Sequence, residues 1–271
     1  YIFSGGVANS TTVNYGEIWI DADGVANGTA LDEGGYMRIY SGGVVNNTIV
    51  NSGGHMRVYS GVANDTTVNS GGDMRIYSGG KVTGSLTIAD GADVIADIID
   101  FELTGRTSSD GYLINNLSLI SGAPDYTITV SATQSGGVYR LAEGADGFNQ
   151  SISIGDGSVS FGSLTVNGDA VSYGYREYSL LEQDGILSLV VDQATRPAPT
   201  GLHGSAAGLS WTGSPGDEGY EIEYSRDNFV TVARLTTDEA ALDSFNLADG
   251  SYQWRVRATG GLWSEAATFT V

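Results

Sequence analysis

Cysteine is absent from this 271-residue chain, which excludes disulfides, thiolate metal sites and a cysteine nucleophile together. Lysine occurs once, at Lys81, and histidine twice, at His55 and His203. Only 12 Lys and Arg stand against 32 Asp and Glu, giving a formal charge of −20 and a pI near 4.1. A nucleic-acid binder needs a basic stripe, and an anionic membrane surface attracts basic patches, so neither partner is expected. No apolar run approaches the roughly 18 residues of a membrane helix, and no membrane insertion is expected of this segment. The chain begins at Tyr1 without Met or a signal peptide, inside a repeat, and reads as an excised piece of a longer polypeptide.

Glycine, by contrast, is abundant at 40 residues, with only 4 prolines and with 15 tyrosines. Short strands joined by tight turns fit that balance, and a hydrophobic content of 41% argues against disorder. The glycines are periodic. Gly16, Gly35, Gly54, Gly72 and Gly91 form one series and Gly6, Gly24, Gly43, Gly61 and Gly80 a second, each with steps of 18 or 19 residues. Such a period marks a solenoid. Paired glycines, Asn-rich tracts and β-branched residues all disfavour helical repeats. In "MRIY", alternation puts Met37 and Ile39 on one face and Arg38 and Tyr40 on the other, and Met56, Val58, Met74 and Ile76 repeat the inward pair. The fold class expected is all-β: a right-handed parallel β-helix with a β-rich cap, followed by a sandwich. "GVANSTTVN", "GVANGTALD", "GVVNNTIVN" and "GVANDTTVN" place Asn9, Asn27, Asn46 and Asn64 at one corner. Asn14, Asp32, Asn51 and Asn69 fall at another, where stacked amides can bond along the axis.

The units "GGxMRVYSGG" and "GVxNxTxVNSGG", recurring in phase over residues 1 to about 95, resemble the AIDA-type repeats of bacterial autotransporter adhesins. The resemblance implies a β-helical passenger, secreted or displayed at the outer-membrane surface. It also implies a role in adhesion, self-association and biofilm growth, with host or bacterial surface glycans, proteins or another copy of itself as partners. Some members carry sugars on Ser and Thr of the repeats, and Thr12, Thr48 and Thr67 are the equivalents here.

Three segments are expected: repeats over 1–97, a β-rich continuation or cap over 98–194, and a separate domain over 195–271. After Gly91 the period fails. Turns at "NGD" and "QDG" suggest an antiparallel meander, and a solenoid end needs a cap over its open strand edges. "DQATRPAPTG", residues 192–201, reads as a linker. Residues 197–271 resemble a fibronectin type III domain. Trp211, Tyr220, Ile222 and Tyr224 match early core strands, while Leu247, Gly250 and Tyr252 match the tyrosine-corner pattern. Trp254, Val256, Trp263 and Phe269 alternate as a sandwich core should. This domain departs from the autotransporter plan, in which the passenger leads to an outer-membrane barrel.

Chemistry is sparsely provided for. His55 and His203 fall in different domains and cannot share a metal. His55 has Tyr36 and Asp73 as in-phase neighbours, and a His–Asp pair could orient a base, but a variable surface slot explains it better. The Asp-rich turns "DADG", "ADGAD" and "GDGS" lack the spacing of known calcium loops, so no cofactor is expected and calcium is the minor alternative. The contact surface expected is the outward stripe of Trp19, Arg38, Arg57 and Arg75, with Tyr40, Tyr59 and Tyr77 two residues on. Like charges stacked there need compensation, which aromatic faces can partly supply. The reading is a non-enzymatic adhesin fragment, with a passive stalk and a carbohydrate-active β-helix enzyme as the alternatives.

Overall fold

The computed structural model describes residues 1–3, 5–131, 134–193, 196–214, 217, 219–243 and 247–271; of the expected linker, Ala194 and Thr195 lie outside them. The chain forms two compact units. One comprises residues 1–171 and 178–191, the other 172–177 and 192–271. Helix among the described residues is confined to one 3-10 turn at Leu117–Leu119.

The first unit is a β-solenoid of two parallel sheets. In one, Glu17–Ile20, Tyr36–Ile39, His55–Val58 and Asp73–Ile76 pair residue on residue, so that Ile18, Met37, Met56 and Met74 form one column. The other stacks Val7–Asn9, Val25–Asn27, Val44–Val50, Val62–Val68 and Lys81–Ile88. The inward phase read from alternation is the one observed: Met37, Ile39, Met56, Val58 and Met74 are fully buried and Ile76 is 2% exposed. The glycine pairs turn the corners. Gly53 adopts φ +74°, which disfavours any side chain, and a Cβ on Gly54 would stand 2.4 Å from the Leu31 carbonyl of the previous rung. The first glycine permits the turn and the second permits the rungs to close.

Both amide ladders are present. Asn27 donates to Asn9, Asn46 to Asn27 and Asn64 to Asn46, at 2.8, 2.7 and 3.3 Å. Asn51 donates to Asp32 and Asn69 to Asn51, at 2.6 and 2.7 Å. Beside the first ladder lies a column of left-handed residues, Ser10, Gly28, Asn47, Asp65 and Gly84. This backbone step rotates the next residue inward. Thr29, Thr48 and Thr66 are therefore buried, and their hydroxyls make no hydrogen bond among the described residues. Thr48 is thus not the equivalent of Thr12 and Thr67. Its neighbour Ile49 pairs with Thr67 and takes the outward slot.

The β-rich continuation holds further, larger rungs before its antiparallel strands. Val94 pairs in parallel with Ile120, Ile99 with Tyr126 and Tyr126 with Ile152, so the solenoid continues with rungs of 26 or 27 residues in place of 18 or 19. In the facing sheet, single parallel bridges link Leu86 to Ile114 and Ile114 to Ala142. Each sheet then takes on an antiparallel strand: Ser160–Leu164 on Ile152–Gly155, and Ile186–Gln193 on Gly137–Ala142. The reversal of direction ends the parallel stacking in each sheet.

The second unit has a three-stranded sheet, in the order Thr200–Ser205, Gly208–Thr212 and Ala241–Asp243. Its four-stranded sheet has the order Ala233–Thr237, Tyr220–Ser225, Ser251–Ala258 and Ala267–Thr270. One core joins them, including Leu209, Trp211, Ile222, Trp254, Val256 and Phe269. The Tyr252 hydroxyl donates to the Ala248 carbonyl at 2.8 Å. Trp263 is not in this core. It is half-buried, with the Arg255 and Arg257 guanidinium carbons 4.9 and 4.5 Å from its ring.

Candidate functional site

Parallel register with a side-chain period of two stacks like residues on the outward face of the repeated rungs. Glu17, Tyr36, His55 and Asp73 form one column, and Trp19, Arg38, Arg57 and Arg75 the next. Just past the strand ends, Tyr40, Tyr59 and Tyr77 form a third. Their rings stack at 5.0 and 4.7 Å with interplanar angles of 9° and 10°, and Trp19 extends the row at 5.6 Å from Tyr40. All seven stripe residues thus lie on one face.

The three arginines are not equivalent. Arg57 donates from Nη1 and Nη2 to both Asp73 oxygens, at 2.7 and 2.8 Å, and also to the Met56 carbonyl. It faces outward but is only 8% exposed, because its neighbours cover it. Arg38 lies 4.6 Å from the Tyr36 ring centroid and 5.0 Å from that of Trp19, and pairs with Glu17 at 3.2 Å. Arg75 touches Asp73 only at 3.9 Å and keeps 43% of its side chain exposed. Compensation for the stacked charge comes from both sources, carboxylates and ring faces. Burial works against ionisation of Asp73, but bonds from Arg57 and His55 outweigh it and hold its carboxyl below the usual range. Asp73 is therefore already engaged within its own chain.

The tyrosine row has a geometric consequence for binding. Rings stacked at about 5 Å occupy each other's faces, leaving edges and hydroxyls to the outside. Burial, then the neighbouring Tyr77, push the Tyr59 hydroxyl up, so it stays a neutral donor. Such a row offers hydrogen bonds and edge contacts, while its ring planes are closed to a sugar.

His55 and Asp73 do meet, with Nδ1 3.1 Å from Oδ2, and the imidazole stacks on Tyr36 at 5.5 Å. Asp73 is shared with Arg57, and among the described residues no hydroxyl bonds the imidazole. No group of three or more His, Cys, Asp or Glu among the described residues could hold a metal ion.

A second feature escaped the sequence reading. In the expanded rungs the Lys81 ammonium pairs with Asp100 at 2.9 Å and Glu102 at 3.5 Å, beside a cleft of about 320 Å³. Thr127 and Thr129 donate their hydroxyls to Asp100. A period of 19 residues could not bring Asp100 to Thr127, because these rungs are longer.

Residues 14–63 and 41–91 match the model of a family described as "Adhesin of bacterial autotransporter system, probable stalk". Among solved structures, a crystal structure of a TibC-catalysed, hyper-glycosylated TibA fragment is similar at 32% identity over 53% of this chain, with a TM-score of 0.37; the chain spans 59% of that fragment. No curated protein matches.

Proposed function

We propose that this chain is a non-catalytic part of a bacterial surface adhesin, an autotransporter-type passenger whose repeated rungs make weak contacts multiplied over many copies. Its location is the outside of the cell, at the outer-membrane surface or secreted. The single observation that carries the reading is the unbroken outward row of Trp19, Tyr40, Tyr59 and Tyr77 beside Arg38 and Arg75, on the rungs that match the adhesin stalk family. Edge-on tyrosines and partly exposed guanidinium groups suit a protein surface, including a second copy, better than a sugar plane. Adhesion, self-association and biofilm growth are the outcomes such a face would serve.

A fibronectin type III sandwich over residues 196–271 is part of this reading. Its support is the pairing of three strands against four around one core, with the Tyr252 hydroxyl tied back to Ala248. It would act as a spacer or interaction module.

The test replaces Arg38 and Arg75 by Ser and Tyr59 by Ala, leaving Arg57 in place because its loss would strand Asp73. Light scattering of the chain, and aggregation of beads coated with it, should fall several-fold, with the melting curve nearly unmoved. Unchanged association would leave the passive stalk, a reading favoured by the family's own description.

A further inference from the structure

The cleft beside Lys81 is lined by Ile98, Asp100, Thr127, Thr129 and Ser153 together with the loop Gly157–Ser160. It lies in the expanded rungs, apart from the aromatic row. The loop is set in advance: Asp156 accepts from the backbone of Ser158 and Val159 at 2.8 and 2.7 Å. The volume sits at the lower end of the ~300–1,000 Å³ range of small-molecule sites.

The hydrogen bonds already made decide what the cleft offers. The Asp100 side chain is only 6% exposed and receives Lys81, Thr127 and Thr129. Since both threonine protons point at Asp100, their oxygens present lone pairs to the cleft. Lys81 has three N–H donors, of which Asp100 and Glu102 take two, and its side chain is 46% exposed. Burial opposes its charge, but bonding to Asp100 and the fields of Asp100 and Glu102 keep it protonated, so it is neither a base nor a nucleophile. Ser153, Ser158 and Ser160 are exposed and both donate and accept. Ile98 and Val159 add apolar surface. One ammonium against two carboxylates leaves a small negative excess, which disfavours an anionic ligand.

We propose that this cleft binds one neutral, hexose-sized sugar ring presented by a glycan. Lys81 donates to a ring hydroxyl, and Thr127 and Thr129 accept from others. Asp100 is a positioning residue that fixes the threonine protons and the ammonium, and the sugar's C–H face rests on Ile98 and Val159. A ligand whose every hydroxyl both donates and accepts matches a wall whose donors and acceptors are fixed in this way. Affinity for one ring is weak, a dissociation constant on the order of 1 mM. This site does not depend on the self-association reading and would give the same chain a second kind of contact.

The experiment is saturation-transfer NMR on the whole chain with methyl glycosides of glucose, galactose and mannose, alongside glucuronate, galacturonate and spermidine. At least one neutral glycoside should bind, with the uronates at least fivefold weaker. Thr127→Val should weaken binding at least fivefold, and Ser153→Phe, which fills the cleft, should abolish it. If Ser153→Phe lowers the melting temperature, Ser160→Phe fills the cleft from a second lining position and must give the same loss. The Arg38, Arg75 and Tyr59 variant of the aromatic row should bind as the parent does. Absence of binding by all three neutral glycosides overturns the proposal. So does binding that survives both cleft-filling variants, a preference for uronate or spermidine, or loss of binding in the aromatic-row variant.

Discussion

The first unit contains two kinds of rung, and they make opposite surfaces. Repeats of 18 or 19 residues place Met on Met, Asn on Asn and Tyr on Tyr, so their outward face is a set of continuous ladders. The expanded rungs place Asp100 beside Thr127, and Ile98 beside Asp125, each 27 residues on, and together with the loop Gly157–Ser160 they line a cleft. Exact repetition averages a surface into stripes, whereas irregular length gathers unlike groups at one place. The first arrangement suits the extended contact, and the second the localised ligand site, that are proposed above.

The largest effect expected is at the shared core. Met56→Asp puts an unpaired charge between Met37 and Met74 and should cost about 5 kcal/mol or more, enough to melt the solenoid. Ile128→Asp in an expanded rung should cost about as much, since that side chain is 1% exposed. Thermal denaturation followed by circular dichroism compares them. A mild effect at Ile128 alone would separate the two kinds of rung energetically as well as in shape.

Glycine sharpens the contrast. Gly54→Ala would drive a Cβ to 2.4 Å from the Leu31 carbonyl and should destabilise by about 3 kcal/mol. Gly111, in a loop of an expanded rung, has nothing within 4 Å of an added Cβ, and Gly111→Ala should change stability by less than about 0.5 kcal/mol. Equal effects in urea titrations would mean that the corner yields to a side chain as readily as the loop does.

Between the two glycine effects falls the covered ion pair. Asp73→Asn should cost about 2 kcal/mol at neutral pH by leaving Arg57 with a neutral partner. Because the folded state holds the Asp73 carboxyl below its usual range, its stabilisation is present above the unfolded carboxylate pKa. It is lost as pH falls through the depressed folded value. Melting temperature against pH should therefore drop less steeply on the acid side in the Asn variant, and parallel curves would remove Asp73 from the acid response. One further change has the opposite sign. Thr48→Val deletes a buried hydroxyl without a partner and should stabilise by about 1 kcal/mol, raising the urea midpoint.

The repeated rungs were legible because burial there depends on position alone. Period, inward methionines and both amide corners followed from glycine spacing and strand alternation. The phase of Thr48 was not legible, since it depends on one left-handed residue, Asn47, that breaks the alternation between corner and strand. Nor was the covering of Arg57, which requires Asp73 of the next rung to reach back. Beyond Gly91 the chain has no repeat to align, so the parallel partners of Asp93–Glu102 were hidden by loop lengths that only the folded chain fixes. Glu223 was passed over for a related reason. It lies among core residues yet faces outward, almost fully buried under Arg234 and Arg255.

The columns also bear on how such a chain changes over generations. Because each residue in a ladder meets its own kind above and below, one repeated rung can be duplicated or deleted and the new neighbours still match. The molecule can then be lengthened or shortened in steps of about 4.8 Å per rung with its core, amide and tyrosine ladders intact, while rung-specific pairs such as Arg57–Asp73 would change. The expanded rungs have no such freedom, since removing one would separate Lys81 from Asp100 or Asp100 from Thr127. Reach can drift in this architecture while the cleft stays tied to one place in the chain.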